Sequence, residues 1–324
     1  MYLDDYKRWL GTELEDAALT EELKAQILAA ETQVAVDDLY RPYRPKRRTR
    51  ATIAKEKGLE PLANIIMLQM LKTSLAEEAA KYINEEKEVL TAEDAIAGAK
   101  DIIAEMISDD ADYRTKIRDL TVKKGRLLST AKDKEAESVY EMYYDFNEPV
   151  AKLAGHRVLA VNRGENEKIL TVKIEAPVED IIRYLEKQII VKDNPETTPV
   201  LQEVIVDAYE RLIAPSIERE IRSDLTEKAE EKAIKVFGQN AKQLLLGAPI
   251  KGKTVMGFDP AYRTGCKIAV IDETGKVLDY TTVYPTEPQN DVIGAKKVLL
   301  DLINKHHINM IAIGNGTASR ESET

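Results

Sequence analysis

The spacing of apolar residues changes character along this 324-residue chain, and that change limits its fold more than any other feature. Up to about residue 250 apolar side chains mostly recur at three and four positions, the repeat of one helix face. From Thr254 they alternate in short runs, the repeat of strands. TVMGFDP, CKIAVID and KVLDYTTVYP read as three strands, with Glu273-Thr274-Gly275 turning the chain between the last two. NDVIGAKKVLLDLINKHH then reads as a helix and NMIAIGN as a fourth strand. A crossover helix places that fourth strand parallel to the first, which has an antiparallel neighbour on its other side. The expected fold is mostly α with a small β-hairpin insert, followed by an incomplete α/β unit whose sheet lacks cover on its second face.

Within the helical part, LTEELKAQILAAETQVAVDDL predicts one helix with Thr20 as N-cap and Glu21 and Glu22 in its first turn. It should stop before the prolines of RPYRP. Three or four helices follow between Thr52 and Ser108, with a break at Gly58 and a near capping box at Thr91 and Asp94. Around residues 120–175 the pattern predicts a small β-containing insert. TVKKGRLLSTA reads there as a strand, AESVYEMYYDF as a helix, and HRVLAVNRGENEKILTVKIEA as a hairpin turning at Gly164. Pro177 opens VEDIIRYLEKQII, and 198–247 is helical again, ending in a long charged helix. GAPIKGK, rich in Gly and Pro, divides residues 1–250 from 251–324.

Composition narrows the function. The net charge is −10, so general attraction to polyanions is excluded and any such site must be a local basic patch. The single cysteine, Cys266, excludes a disulfide framework or a cysteine metal cluster, and suits a reducing cytoplasm. No apolar run approaches the roughly 18 residues of a membrane span, and MYLDDYKRWL lacks the apolar core of a signal peptide. A soluble cytoplasmic protein with no membrane partner is expected. His156, His306 and His307 suit structural roles, the last two at a helix C-terminus. Cys266 reads as a buried small hydrophobe, and the stripe Ile65–Leu71 as core.

GFDPAYRTGCKIAVID followed by IAIGNGTASRE resembles the YqgF-type, ribonuclease-H-like domain of the bacterial Tex transcription accessory family. RPYRPKRRTRATIAKEKGLEPLA resembles that family's N-terminal signature, in the right order. The resemblance implies a Tex-type helical region with a helix-turn-helix-like segment, then the beginning of the ribonuclease-H-like domain. The family continues with the rest of that domain, helix-hairpin-helix motifs and an RNA-binding OB-fold, so the chain is read as part of a longer protein. It also implies RNA or DNA as partner, bound weakly by this part alone, and association with the transcription machinery.

Ribonuclease-H-like resolvases hold divalent metals with a first-strand carboxylate and acids on later elements. Asp259 takes the first-strand position, the only candidate here for a catalytic or metal-binding role. At the end of the fourth strand, where another acid is expected, stands Asn315, and a neutral amide is a weak ligand for a hard cation. No other catalytic group is expected, and Mg²⁺ or Mn²⁺ enters only if the chain is a nuclease. The alternative for Asp259 is a carboxylate capping the turn PAYRTG, with Gly265 in the tight conformation.

Arg41, Arg44, Lys46, Arg47, Arg48, Arg50, Lys55 and Lys57 put eight cations into seventeen residues of an acidic chain. Pro42 and Pro45 stiffen the run, and Arg offers phosphate bidentate hydrogen bonds. ATIAKEKGLEPL resembles the turn of a helix-turn-helix, while Tyr40 and Tyr43 suit base stacking or packing beneath the loop. Two readings stand: contact with nucleic acid, or an internal clamp onto acids such as Glu227–Glu231 or Asp37 and Asp38. Three functions follow: a non-catalytic nucleic-acid scaffold, a metal-dependent nuclease, and a protein-interaction platform.

Overall fold

The computed structural model describes residues 3–13, 20–44, 47–248 and 250–323, in two compact units, Met1–Gly238 and Gln239–Thr324.

The first unit opens with α1 (Leu3–Glu13), α2 (Glu21–Ala29) and α3 (Gln33–Tyr40), which share a core of Leu10, Leu23, Ile27 and Val36. Thr20 caps α2 as predicted, accepting from the Leu23 N–H at 3.2 Å. The single helix expected beyond it is two. Thr32 accepts from the Ala35 N–H at 3.2 Å and starts α3 afresh, so a capping side chain overrides the apolar spacing. α3 ends before the prolines, in a 3₁₀ turn over Arg41–Tyr43.

α4 (Arg50–Glu56) begins with a reciprocal capping box of Thr49 and Thr52, and Gly58 at φ +82° separates it from α5 (Glu60–Leu68). α6 (Leu75–Ala80) precedes α7 (Ala92–Asp109), which starts at the predicted Thr91–Asp94 box. α7 is the spine of the unit: Ala95, Ala99, Ile102, Ile103 and Ile107 are buried along one stripe. Complete burial of a residue such as Ile102 contributes roughly 1.5–3 kcal/mol. The stripe at 65–71 is only partly core. Ile66 is buried, but Leu68 and Met70 are 62% and 63% exposed because the helix ends between them, at Gln69 in the left-handed region.

α8 (Ala111–Lys124) leads into a three-stranded antiparallel sheet of order β2-β1-β3, from β1 (Arg126–Ala131), β2 (Asp145–Pro149) and β3 (Leu170–Glu175). Two expectations fail here. The predicted helix at AESVYEMYYDF is a connection with one 3₁₀ turn, Glu141–Tyr143, that runs into β2; its buried Tyr140 and Tyr143 pack on Leu127 and Leu170. The predicted hairpin about Gly164 is α9 (Gly155–Asn166) followed by β3. Gly164 serves close packing, not a turn: a Cβ there would lie 2.6 Å from Leu170 Cδ1. His156, expected beside a strand, is exposed in the first turn of α9. α10 (Val178–Ile189), α11 (Thr198–Asp207), a π-helical turn over Ala208–Ile213 and the 32-residue α12 (Ala214–Leu245) complete the predicted helices.

The second unit matches its predicted order. β4 (Val255–Asp259), β5 (Cys266–Ile271) and β6 (Val277–Val283) are antiparallel. α13 (Val292–His306) crosses to β7 (Met310–Ile313), which pairs parallel with β4 and gives the order β6-β5-β4-β7. α14 (Ser319–Glu323) follows. Met256, Phe258, Ile268, Val270 and a buried free Cys266 pack against Ala295 and Leu302 of α13. None of the described helices is long and apolar enough to cross a membrane.

Candidate nucleic-acid interface

The basic stretch leaves α3 through the 3₁₀ turn and re-enters a helix at the Thr49 cap, so both its ends are fixed. At the entry end lies a charge lattice that the sequence reading missed. Asp38 is 3% exposed and its two oxygens accept from Arg114 Nε and Arg118 Nη2, both at 2.5 Å. Glu220 of α12 closes the lattice, accepting from Arg114 Nη2 at 2.6 Å and Arg118 Nη2 at 2.7 Å. Ser216 Oγ accepts from Arg114 Nη2 at 2.7 Å. Burial disfavours the charged form of Arg118, but hydrogen bonds to Asp38 and Glu220 outweigh it and raise its pKa. At the exit end Thr49 and Thr52 exchange hydrogen bonds of 3.1 and 2.6 Å.

Between these anchors the predicted cations divide. Arg41 is half-buried, with Nε 3.4 Å from Asp109 Oδ1; burial and then the Arg114 charge lower its pKa. Arg48 Nη2 donates to Glu56 Oε2 at 2.9 Å on the surface, and Lys55 and Lys57 lie 3.8 Å from Glu60 and Glu88. Arg50 is exposed and biases Asp101 and Asp207 electrostatically, behind Arg211 in each case. Lys46 lies outside the described residues. Arg44 and Arg47 are exposed and, among the described residues, their guanidinium groups make no ion pair or hydrogen bond; the Arg44 backbone N–H donates to the Tyr40 carbonyl at 3.1 Å. Exposed pairs such as Arg48–Glu56 are worth about 0–1 kcal/mol, so an incoming phosphate can displace them. Arg41, Arg44, Arg47 and Arg48 line one cleft of about 540 Å³ with Tyr40, Thr49, Glu105 and Asp109. Tyr43 is 42% exposed next to Arg44.

The clamp partners named from the sequence are not those used. Asp37 accepts from the Tyr6 hydroxyl and Asp38 is taken by α8; among the described residues no ion pair joins the basic stretch to Glu227–Glu231. One signal in the sequence did point to the lattice. Arg114 and Arg118 share a helix face with Ile117 and Thr121, which are buried.

Asp259 stands exposed at the end of β4, where the Gly314 N–H donates to the Phe258 carbonyl at 2.8 Å. The capping role is not seen: among the described residues its carboxylate has no hydrogen-bond or ion-pair partner. The turn is held otherwise. Thr286 Oγ1 donates to the Ala261 carbonyl at 3.0 Å, and Gly265 takes φ +77°, the tight conformation predicted for it. Glu321 accepts from the Tyr262 hydroxyl at 3.0 Å, and Asn315 is exposed. Among the described residues no three His, Cys, Asp or Glu side chains converge as metal ligands, so the donors described do not fit a two-metal nuclease centre. His306 Nε2 lies 3.0 Å from Asp279 Oδ2, with Lys305 Nζ at 2.8 Å, a structural latch from α13 to β6.

Comparison with known proteins agrees with both units. The Tex central region-like family matches residues 72–237, and the Tex protein YqgF-like domain matches residues 253–324. The uncharacterized protein YdcI of Bacillus subtilis is 53% identical over 312 residues, covering 95% of this chain and 43% of its own length. The transcriptional accessory protein Tex of Neisseria gonorrhoeae is 37% identical over 318 residues, 95% of this chain and 41% of its own. The human S1 RNA-binding domain-containing protein 1 is 31% identical over 326 residues, 95% of this chain and 32% of its own. The chain thus spans less than half the length of these relatives. With the central-region match alone covering half the chain, and the YqgF-like match following it in order, the chain belongs to the Tex family.

Proposed function

We propose that this chain is a non-catalytic nucleic-acid-binding region of a transcription accessory protein, and that it meets phosphate through Arg44 and Arg47, with Arg48 and Arg50 beside them. One observation carries the reading: two arginines are held out on a segment anchored at both ends, with no internal acid engaging them among the described residues. An internal clamp would have spent these charges on Asp37, Asp38 or the α12 acids. The names of two relatives, one a transcriptional accessory protein and one an S1 RNA-binding domain-containing protein, support the same class of partner. Catalysis forms no part of the proposal, because Asp259 stands apart from any described ligand set.

The test is a salt titration of oligonucleotide affinity with Arg44→Glu/Arg47→Glu. Each lost phosphate contact removes roughly 0.7–0.9 from the slope of log affinity against log salt, so the pair removes about 1.5. Binding should weaken alike for all base sequences, since phosphate contacts carry no sequence information. An unchanged slope would reject phosphate contact at this loop.

A further inference from the structure

We infer that Asp38 is a positioning residue for nucleic-acid binding: its lattice with Arg114, Arg118 and Glu220 sets where Arg44 and Arg47 stand. The inference rests on the function proposed above and adds the device that organises it. Only Leu39 and Tyr40, the last residues of α3, separate Asp38 from Arg41 in the exit turn, so a helix fixed at Asp38 fixes the direction in which the chain leaves. The fixing is strong in kind. Arg114 is 0% exposed, and Asp38 and Glu220 meet both arginines, so each acid bridges two cations that lie one turn apart on α8. A bridged, water-excluded carboxylate tolerates little displacement, because a shift leaves a charge desolvated and unmatched. Stability alone does not explain this choice, since well-packed apolar side chains of equal volume serve stability as well or better. What a charge lattice adds is directional: it admits one orientation of α3 against α8 and α12. At the far end the Thr49–Thr52 box fixes the start of α4. The arginines between are thereby held ready, and ordering them on binding costs less than it would in a free loop.

The test separates position from stability. In Arg47→Cys a nitroxide can be attached selectively, because the other cysteine, Cys266, is buried. Adding Asp38→Asn should sharpen the spin-label spectrum at position 47, at a temperature where circular dichroism shows the protein folded. In the unlabelled chain, Asp38→Asn should weaken binding of a fluorescein-labelled oligonucleotide about tenfold. Glu220→Gln loosens the same lattice from α12 without touching α3, and should move both readouts in the same direction; it carries the test if Asp38→Asn does not fold. A spectrum and an affinity unchanged in the folded variants, with only the melting temperature lowered, would overturn the inference. That outcome would leave the proposed function standing, provided Arg44→Glu/Arg47→Glu still weakens binding. Failure of the arginine variant would remove both.

Discussion

Replacing Gly98 with alanine tests how α4 and α5 are seated on α7. Glycine inside a helix costs about 1 kcal/mol relative to alanine, so helix propensity alone predicts that Gly98→Ala stabilises. Packing predicts the reverse. A Cβ at position 98 would lie 2.3 Å from Leu59 Cδ1 and 3.3 Å from Ala54 Cβ. Carbon atoms are most comfortable at about 3.5–4.0 Å, so the first contact is more than an ångström too close. Leu59 has little room to withdraw: it is 1% exposed and its backbone is the N-cap of α5. Overpacking of this kind costs about 1–3 kcal/mol, which offsets the propensity gain and leaves a net destabilisation of about 1 kcal/mol. Urea unfolding measures it as a lowered midpoint at unchanged slope. Leu59→Ala alone should cost about 2–5 kcal/mol, but in its presence Gly98→Ala should cost nothing or stabilise, because the clashing methyl is gone. If Gly98→Ala raises the midpoint in the wild-type background, or if the two changes simply add, the packing argument is wrong.

Three further outcomes are expected. Gln69→Ala removes an amide that accepts from the Val191 and Lys192 N–H groups at 3.0 and 2.9 Å and donates to the Ile189 carbonyl at 2.7 Å; thermal unfolding should show a loss of about 2–4 kcal/mol, as these groups lose their partner. Lys305, then His306, hold the Asp279 carboxyl down from 3.8 to about 2. A depressed carboxyl pKa stabilises fully above its unfolded value and ceases to do so as pH falls through the folded one, so the second unit should loosen between pH 3.8 and about 2, and Asp279→Asn should flatten that part of an acid titration followed by near-ultraviolet circular dichroism. Neither this chain nor its Asp259→Asn variant should cleave single strands, duplexes or junctions with Mg²⁺ or Mn²⁺; cleavage lost only in the variant would show that Asp259 is catalytic.

The second unit was legible in nearly every element because its strands alternate and its turns carry their own signals, such as Gly265 and Gly275 at positive φ. The insert was less so, and the reason is the double use of glycine. A Gly in RGENEK serves a hairpin and a close helix–strand contact equally well, and only the partner, Leu170, decides between them. The helix at 136–146 failed for a related reason. Tyr140 and Tyr143 are three apart, as on a helix face, but they are buried by β1 and α9 around an irregular connection. Local periodicity records that a side chain is buried, and not what buries it.

The basic stretch shows where such reading ends. Eight cations in seventeen residues announce a charged segment, yet which of them are available depends on acids far away in the sequence. Arg41 lies against Asp109, and the acid that a local reading would have given the loop, Asp38, belongs instead to Arg114 and Arg118, 76 and 80 residues on. Asp38 is spent on the lattice, so it pairs with none of the cations that follow it; on the inference drawn above, the same lattice also holds the helix that presents them. On the function proposed above, the same ion pairs that look like a clamp on α3 leave Arg44 and Arg47 to meet phosphate. Clamp and contact compete as readings of the sequence, but in the proposed function they are two halves of one arrangement, and the paired variants at Asp38 and at Arg44 and Arg47 address each half separately.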